Sequence, residues 1–514
     1  MKSAALEEQV GTVSFLERLF GTRSSVQTIS THASRIFLTG EKAYKLKLAV
    51  HFPYLDYSTP HKRHEACLKE FELNSRTAPA LYVGVRTITR KADGGLEIDG
   101  DGSLVDALLE MRRFDQDCLF DRMAQNGSLT GAIVSDLAHQ IAAFHREAPI
   151  NREMGGVKGI AQVLDINDRS LRATGLVADD VAATVAARFQ ETLLEHSQVL
   201  EKRRLSGRVR RCHGDLTLRN ICLWQGVPTL FDCIEFDESI ATIDVLYDLA
   251  FLLMDLWHRE QRDLASILLN RYLDETDEAD GLGLVPFFMA IRAAVRAHVT
   301  AIQAKNALAS DSAHLRAEAM QYFDLAQSLL QPSPPALVAI GGLSGSGKST
   351  VASLSAPYLG STPGARILSS DRIRKRLFGV SAQTRLPEAA YQPEISAKVY
   401  ETQRREATIA LACGAAVVVD AVFDRPDERK KIEKIAAEGG VSFSGYWLDA
   451  SEKVLVSRVM SRLNDPSDAT VDVVVKQVSR DCGEIDWVRL DASRDPATIS
   501  DDILRRCGIG TVPS

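Results

Sequence analysis

The chain has 514 residues, of which 45% are hydrophobic and 25% charged, and carries a formal net charge of -7. Such a composition belongs to a globular protein with several cores, so two or three domains are expected, and the acidic balance argues against non-specific coating of nucleic acid or anionic membrane. The eight cysteines show neither CxxC pairs nor metal-ligand spacing, which argues against a zinc site or a disulfide framework. The first segment, "MKSAALEEQVGTVSF", has two glutamates where a signal peptide needs an apolar core. A cytoplasmic location is therefore expected.

In chain order, "SRIFLTGEKAYKLKLAV" and "LYVGVRTITRK" read as strands, and "VSDLAHQIAAFHREA" reads as a helix. The pattern predicts a β-rich lobe over 1–110 and a helical lobe over 111–330. Residues 150 to 210 are polar and weakly patterned, and no element is assigned there. "YDLAFLLMDLW" is too short and too interrupted by acids to span a bilayer, so no membrane partner is expected.

The segment "RRCHGDLTLRNICLW", from Arg210, places Asp215 and Asn220 among apolar residues, and Asp232 follows in "FDCIEFD" after the strand-like "GVPTLF". Polar groups in such surroundings cost free energy unless something pairs with them. Phosphoryl transfer from ATP needs this set: a base for the acceptor hydroxyl, and an amide and an acid to hold magnesium. The spacing resembles aminoglycoside phosphotransferases and the related choline- and homoserine-type kinases, and more distantly the protein-kinase catalytic loop. The resemblance implies a two-lobed protein-kinase-like (α+β) domain, with Asp215 as base and Asn220 and Asp232 as magnesium ligands. Thr217 stands where the family's "HGDLH" has its second His, and "DCIEF" stands where many members show an acid next to an aromatic. These departures blur the substrate but leave the metal set intact.

The same resemblance points upstream to Lys45 or Lys47, which share one face of a strand. Either could reach ATP phosphates, and Lys45 is preferred. Glu70, or Glu65, is the expected partner of that lysine, and Glu110 and Met111 the expected hinge beneath adenine. Downstream, Asp248 is expected to brace the catalytic loop, with Asp244 as the alternative. His213 and His145 read as core histidines with satisfied hydrogen bonds, His213 also steadying the loop.

The prolines of "QPSPP" at 331–335 cannot continue the helix suggested by "SAHLRAEAMQYFDLAQSLL", and mark a linker before a domain over 336–514. There "ALVAIGG" reads as a strand leading into "GGLSGSGKST", which has Gly342, Gly347, Lys348 and Ser349 in Walker A order. Ser344, Gly345, Ser346 and Thr350 complete the loop. Its glycines allow backbone amides to point at phosphate, Lys348 to reach the β and γ phosphates, and Ser349 to ligate magnesium. "AAVVVDA" ends in Asp420, a second carboxylate for the metal's water shell. Asp371 and Arg374 lie one helical turn apart in "RILSSDRIRKRLF", and Arg458 and Arg462 lie four apart in "SRVMSRLND".

Together these features resemble the P-loop kinase group that includes phage-type polynucleotide kinases, zeta toxins and gluconate kinase-like enzymes. The resemblance implies a P-loop NTPase domain with a parallel sheet flanked by helices, Asp371 as base, Arg374 holding the acceptor, and Arg458 and Arg462 on transferred phosphate. Arg480 is a further cation near that lid. The fold class expected is thus α/β multidomain. The function expected is a bifunctional phosphotransferase using ATP and Mg2+ on small-molecule hydroxyl substrates. One alternative keeps a single catalytic domain and makes the other a nucleotide-sensing or recruiting module. Another is polynucleotide 5′-hydroxyl kinase activity in the second domain, which the basic "DRIRKR" favours; the acidic total and the lack of an aromatic platform disfavour it.

Overall fold

A computed structural model describes residues 4–21, 26–31, 33–52, 55–331, 333–461 and 467–510. The chain divides into two compact units, Met1–Gly159 with Leu200–Leu252, and Ile160–Val199 with Leu253–Ser514.

The first unit begins with helix α1 (Ala4–Gly21), strands β1 (Gln27–Ser30), β2 (Ser34–Thr39) and β3 (Lys42–Lys47), and the short ladder of β4 (His51–Phe52) with β5 (Leu55–Asp56). Helix α2 (Pro60–Asn74) follows, its start set by Thr59, which accepts a hydrogen bond from the Lys62 amide, and by proline in the first turn. Strands β6 (Tyr82–Arg90), β7 (Leu96–Ile98) and β8 (Ser103–Arg112) complete an antiparallel sheet of order β1-β2-β3-β8-β6-β7. Leu16 and Phe20 of α1 bury against Phe37, Leu46, Ile88 and Leu108 on one face of that sheet. Alternation along β3 sends Lys45 and Lys47 to the same side.

Helices α3 (Phe120–Gln125), α4 (Gly131–Glu147), α5 (Gly156–Thr174), α6 (Asp179–Glu195) and α7 (Ser197–Leu205) come next. The stretch from 150 to 210, left without an element by its pattern, is therefore largely helical. Its apolar residues are spaced for one buried face, Ile160, Leu164 and Leu171 on α5 and Ala182, Val185, Phe189 and Leu193 on α6. The small, polar remainder had masked that period. The lobe expected to be helical also contains two antiparallel ladders, β9 (Val209–Arg211) with β12 (Thr242–Asp244) and β10 (Ile221–Trp224) with β11 (Val227–Leu230). Helix α8 (Glu238–Ala241) precedes β12, and α9 (Val245–His258) follows it.

The second unit includes α5 and α6 with α10 (Arg262–Glu275), α11 (Val285–Asn306) and α12 (Ala309–Leu329). The stretch Ala279–Asn306 has the length and apolarity of a membrane span, but 67% of that window is buried inside the protein. After α12 come β13 (Ala336–Gly341), α13 (Lys348–Ser355), β14 (Arg366–Ser369), α14 (Ser370–Leu377), α15 (Pro393–Ala412), β15 (Val417–Asp420) and α16 (Pro426–Glu438). The unit ends with β16 (Ser442–Asp449), α17 (Glu452–Met460), α18 (Val471–Val478), β17 (Val488–Asp491) and α19 (Pro496–Arg506). The five strands are all parallel in the order β14-β15-β13-β16-β17. Val338, Ile340, Val417, Val418 and Val419 are fully buried, as central parallel strands covered on both faces require. The architecture is α/β, an antiparallel sheet with helices in the first unit and a five-stranded parallel sheet with helices in the second.

Within the second unit, a β-carbon added at Gly283 would lie 2.2 Å from the Cys413 carbonyl oxygen at the end of α15. Gly283→Ala is expected to destabilise the protein by about 1–3 kcal/mol, the usual cost of overpacking against backbone. A thermal melt coincident with that of the unsubstituted protein would refute this close approach.

Candidate active sites

In the first unit, the turn after β9 carries His213, Gly214 and Asp215. Gly214 sits at φ +86, and a β-carbon there would meet the Ala241 and Ile234 side chains at 3.1 Å; glycine relieves both restrictions. The loop is braced by Asp248 of α9, whose Oδ2 accepts from the His213 amide (3.1 Å) and whose Oδ1 accepts from the Gly214 amide (2.9 Å). His145 Nε2 lies 3.1 Å from Asp248 Oδ2. His145, Cys212 and Asp248 are close enough to suggest a metal group, but these hydrogen bonds already engage the carboxylate. Asp244 is engaged instead by Arg203, through two contacts of 2.8 Å.

Asn220 donates from Nδ2 to Asp215 Oδ2 (2.8 Å) and to its carbonyl oxygen (2.9 Å). Arg219 Nη2 lies 3.1 Å from Asp215 Oδ2. The Asn220 Oδ1 makes no hydrogen bond among the described residues. Phe231, next to Asp232, donates its amide to the Asn220 carbonyl at 3.0 Å, which holds the two segments side by side. Asp232 adopts φ +63, a left-handed conformation that Asp tolerates better than most residues. Its amide donates to Tyr82 Oη (3.1 Å), and the next amide, of Cys233, donates to Asn74 Oδ1 (2.9 Å). The Thr217 hydroxyl is buried and has no hydrogen-bond partner among the described residues.

Lys45 Nζ contacts Glu70 Oε1 at 2.8 Å and Asp232 Oδ1 at 2.6 Å. Burial opposes its charge, but the Asp232 and Glu70 carboxylates outweigh that and hold the ammonium well above its ordinary range. Lys47 shares Glu70, through Oε2 at 2.6 Å, and also pairs with Glu235 and Tyr57. Both lysines thus meet Glu70, which is buried, whereas Glu65 is exposed. Glu235 and Tyr57 were not singled out by sequence reasoning; the second acid in "DCIEF" was their visible signal. Glu110 lies inside β8, paired with Lys42 and Arg86 at 2.6 Å each. Lys47→Met would leave buried carboxylates short of a counter-charge, with an expected loss of about 3 kcal/mol in denaturant unfolding. Unchanged unfolding would show that the cluster carries no such strain.

In the second unit, the turn between β13 and α13 has positive φ at Gly342 (140), Gly345 (90) and Gly347 (91). A β-carbon at Gly342 would lie 2.6 Å from the Leu448 carbonyl oxygen, and one at Gly345 would lie 2.6 Å from that of Leu455. The cradle therefore requires glycine, as a phosphate-binding nest does. Lys348 Nζ donates to the Leu343 carbonyl (3.1 Å), and the Ser349 hydroxyl donates to Asp420 Oδ2 (2.5 Å). Burial pushes the Asp420 carboxyl up, more than Lys348 and the Ser349 hydroxyl pull it down. Gln477 of α18, unanticipated from sequence, accepts from the Ser344 amide at 2.8 Å. Arg458 reaches the Ser346 carbonyl at 3.4 Å, Arg462 lies outside the described residues, and Arg480 pairs with Asp424 at 3.1 Å. Thr350 follows Ser349 in α13 and is exposed.

Asp371 stands in the first turn of α14, and its carboxylate makes no hydrogen bond or ion pair among the described residues. The four cations of α14 differ. Arg372 pairs with Asp274 (3.6 Å), Lys375 with Asp468 (2.5 Å) and Arg376 with Glu406. Arg374 is buried, donates to the Ala390 carbonyl at 2.7 Å and lies over the Tyr391 ring, with no carboxylate partner among the described residues.

Residues 36–282 match the model of the phosphotransferase enzyme family, and residues 337–480 match that of an AAA domain. The chain joins two kinase-type regions, one protein-kinase-like and one P-loop. It is 28% identical over 466 residues to uncharacterized proteins of Mycobacterium tuberculosis and Mycobacterium bovis, covering 89% of this chain and 90% of each relative. Among solved structures, it is similar to a choline/ethanolamine kinase family protein from Mesorhizobium loti (14% identical, 64% of this chain and 95% of that one, TM-score 0.40). It is also similar to an APS kinase of Mycobacterium tuberculosis in complex with AMPPNP and APS (20% identical, 35% of this chain and 99% of that one, TM-score 0.26). Asp215, Asn220 and Asp232 lie in the phosphotransferase region, and the Gly342–Thr350 loop, Asp371 and Asp420 in the P-loop region.

Proposed function

We propose that the chain is a bifunctional ATP-dependent phosphotransferase, each region transferring the γ-phosphoryl group to a hydroxyl of a small molecule. The observation that carries this is the completeness of both polar sets. Asn220 bonds Asp215 at 2.8 Å, Lys45 bonds Asp232 at 2.6 Å, and the Phe231 amide next to Asp232 bonds the Asn220 carbonyl at 3.0 Å, while Ser349 meets Asp420 beside Lys348. A region that had lost its chemistry would have no reason to keep a strained Asp232 or a glycine-only cradle.

Bound MgATP supplies the phosphoryl group and the cation that offsets its charge. In the phosphotransferase region, Lys45 would meet phosphate oxygens, Asn220 and Asp232 would hold magnesium, and Asp215 would take the proton of the acceptor hydroxyl. In the P-loop region, the 342–350 amides and Lys348 would hold the nucleotide, Ser349 and Asp420 the cation or its water, and Arg458 with Arg462 the transferred phosphate. Asp371 would be the base, and Arg374, alone of the α14 cations in having no acidic partner among the described residues, would meet the acceptor. The cysteines form no disulfide among the described residues, which fits a reducing compartment such as the cytoplasm.

The test is a mass-spectrometric screen of cell metabolites incubated with protein and ATP, comparing the unsubstituted chain with Asp215→Asn and Asp371→Asn. Each variant should abolish one phosphorylated product and spare the other. Products lost together in either variant would refute independent sites. Phosphate gained by a 5′-hydroxyl oligonucleotide, and lost with Asp371→Asn, would move the P-loop region to end-processing of nucleic acid.

A further inference from the structure

We propose that Asn270 and Asp274 of α10 are positioning residues for the P-loop site, fixing β14 and α14 so that Asp371 meets its acceptor. The proposal rests on the reading of Asp371 as that site's base.

Strand β14 is the edge of the parallel sheet, paired among the described residues only with β15. Its outer side would otherwise leave backbone groups unmatched in a buried setting. Asn270, 1% exposed, fills that role with one side chain. Its Oδ1 accepts from the Ile367 amide (2.7 Å) and its Nδ2 donates to the Ala365 carbonyl (3.2 Å). The carbonyl of Asn270 accepts from Arg366 Nη1 at 3.0 Å. A single amide thus imitates a neighbouring strand.

One helical turn further along α10, on the same face, Asp274 takes Arg366 Nη2 at 2.8 Å, Arg271 at 2.6 Å and Arg372 at 3.6 Å. Burial would raise its carboxyl, but Arg366, Arg271 and Arg372 outweigh that and hold it below its ordinary value. Arg366 opens β14 and Arg372 directly follows Asp371. On the other side, Glu406 of α15 pairs with Arg376. The strand and helix that flank Asp371 are therefore gripped at Arg366, Ile367, Arg372 and Arg376, whereas Asp371 makes no side-chain bond of its own among the described residues. Its placement is inherited from this clasp. Because α10 falls within residues 36–282, side chains from the phosphotransferase-family segment order the catalytic helix of the P-loop region. None of the clasp contacts touches the 342–350 loop.

The test uses the full chain carrying Asp215→Asn, so that turnover reports the P-loop site, with ATP hydrolysis as the readout and water standing in for the acceptor. Asp274→Asn and Arg372→Gln, which break the same pair from its two ends, should each lower kcat at least about tenfold while KM for ATP stays within about twofold. Introduced beside Asp371→Asn, they should cause no further loss, and Asp274→Glu should recover part of the rate. Unchanged kcat in both variants, further losses on top of Asp371→Asn, or a parallel rise in KM would overturn the positioning role. If Lys348→Ala leaves hydrolysis by the Asp215→Asn chain unaltered, the reading of the P-loop site itself fails, and the proposal with it. If it abolishes hydrolysis while the clasp variants do not change it, the clasp proposal alone fails.

Discussion

Asp215→Asn is expected to lower turnover at the phosphotransferase site by about 10²–10⁴-fold, the usual contribution of a general base, with MgATP affinity nearly unchanged. The substitution keeps the size of the side chain and a carbonyl oxygen that can still accept from Asn220, 2.8 Å away in the native protein. What it removes is the capacity to take a proton. The brace behind the loop is made of backbone amides bonded to Asp248, so the loop should keep its shape. The measurement is product formation in a Lys348→Ala background, where only this site contributes. A fall smaller than tenfold would remove Asp215 from the role of base and leave Asn220 holding a structural carboxylate.

Lys348→Ala is expected to weaken nucleotide binding at the P-loop site by about 1.5–3 kcal/mol, the value of a charge-assisted hydrogen bond, or roughly 10–150-fold. Lys348 begins α13, and its ammonium now rests on the Leu343 carbonyl at 3.1 Å. That contact is intramolecular and replaceable, so the fold should survive. The cradle glycines remain, and so does the Ser349 contact to Asp420. Calorimetric titration should pass from two binding events per chain to one at moderate nucleotide concentration. Two events of undiminished strength would mean that the loop does not grip phosphate through this residue.

The motifs that sequence alone exposes are those whose parts lie close along the chain. Asp215 to Asn220, and Gly342 to Ser349, are each within one turn or loop, so local spacing already implies proximity. The choice between Glu65 and Glu70 was not local. Both lie on α2, and only the packing of that helix against the sheet buries Glu70 between Lys45 and Lys47. The same holds for Asp248 over Asp244. The two acids stand four residues apart, but Arg203 claims one and the loop amides claim the other. Helices α5 and α6 escaped notice because their apolar residues are separated by small and polar ones that carry no period of their own.

Read along the chain, the residues offer two loops whose types suit phosphoryl transfer, one on either side of a proline-rich stretch. Tertiary structure decided which residues share those groups. It alone made Lys47 a second partner of Glu70, brought Gln477 to the Ser344 amide, and set Asn270 along the open edge of β14. The physical reason is that a buried charge or an unpaired strand edge must be matched by whatever the fold brings near. Such partners lie 97 and 133 positions away for Asn270 and Gln477, beyond the reach of any local pattern.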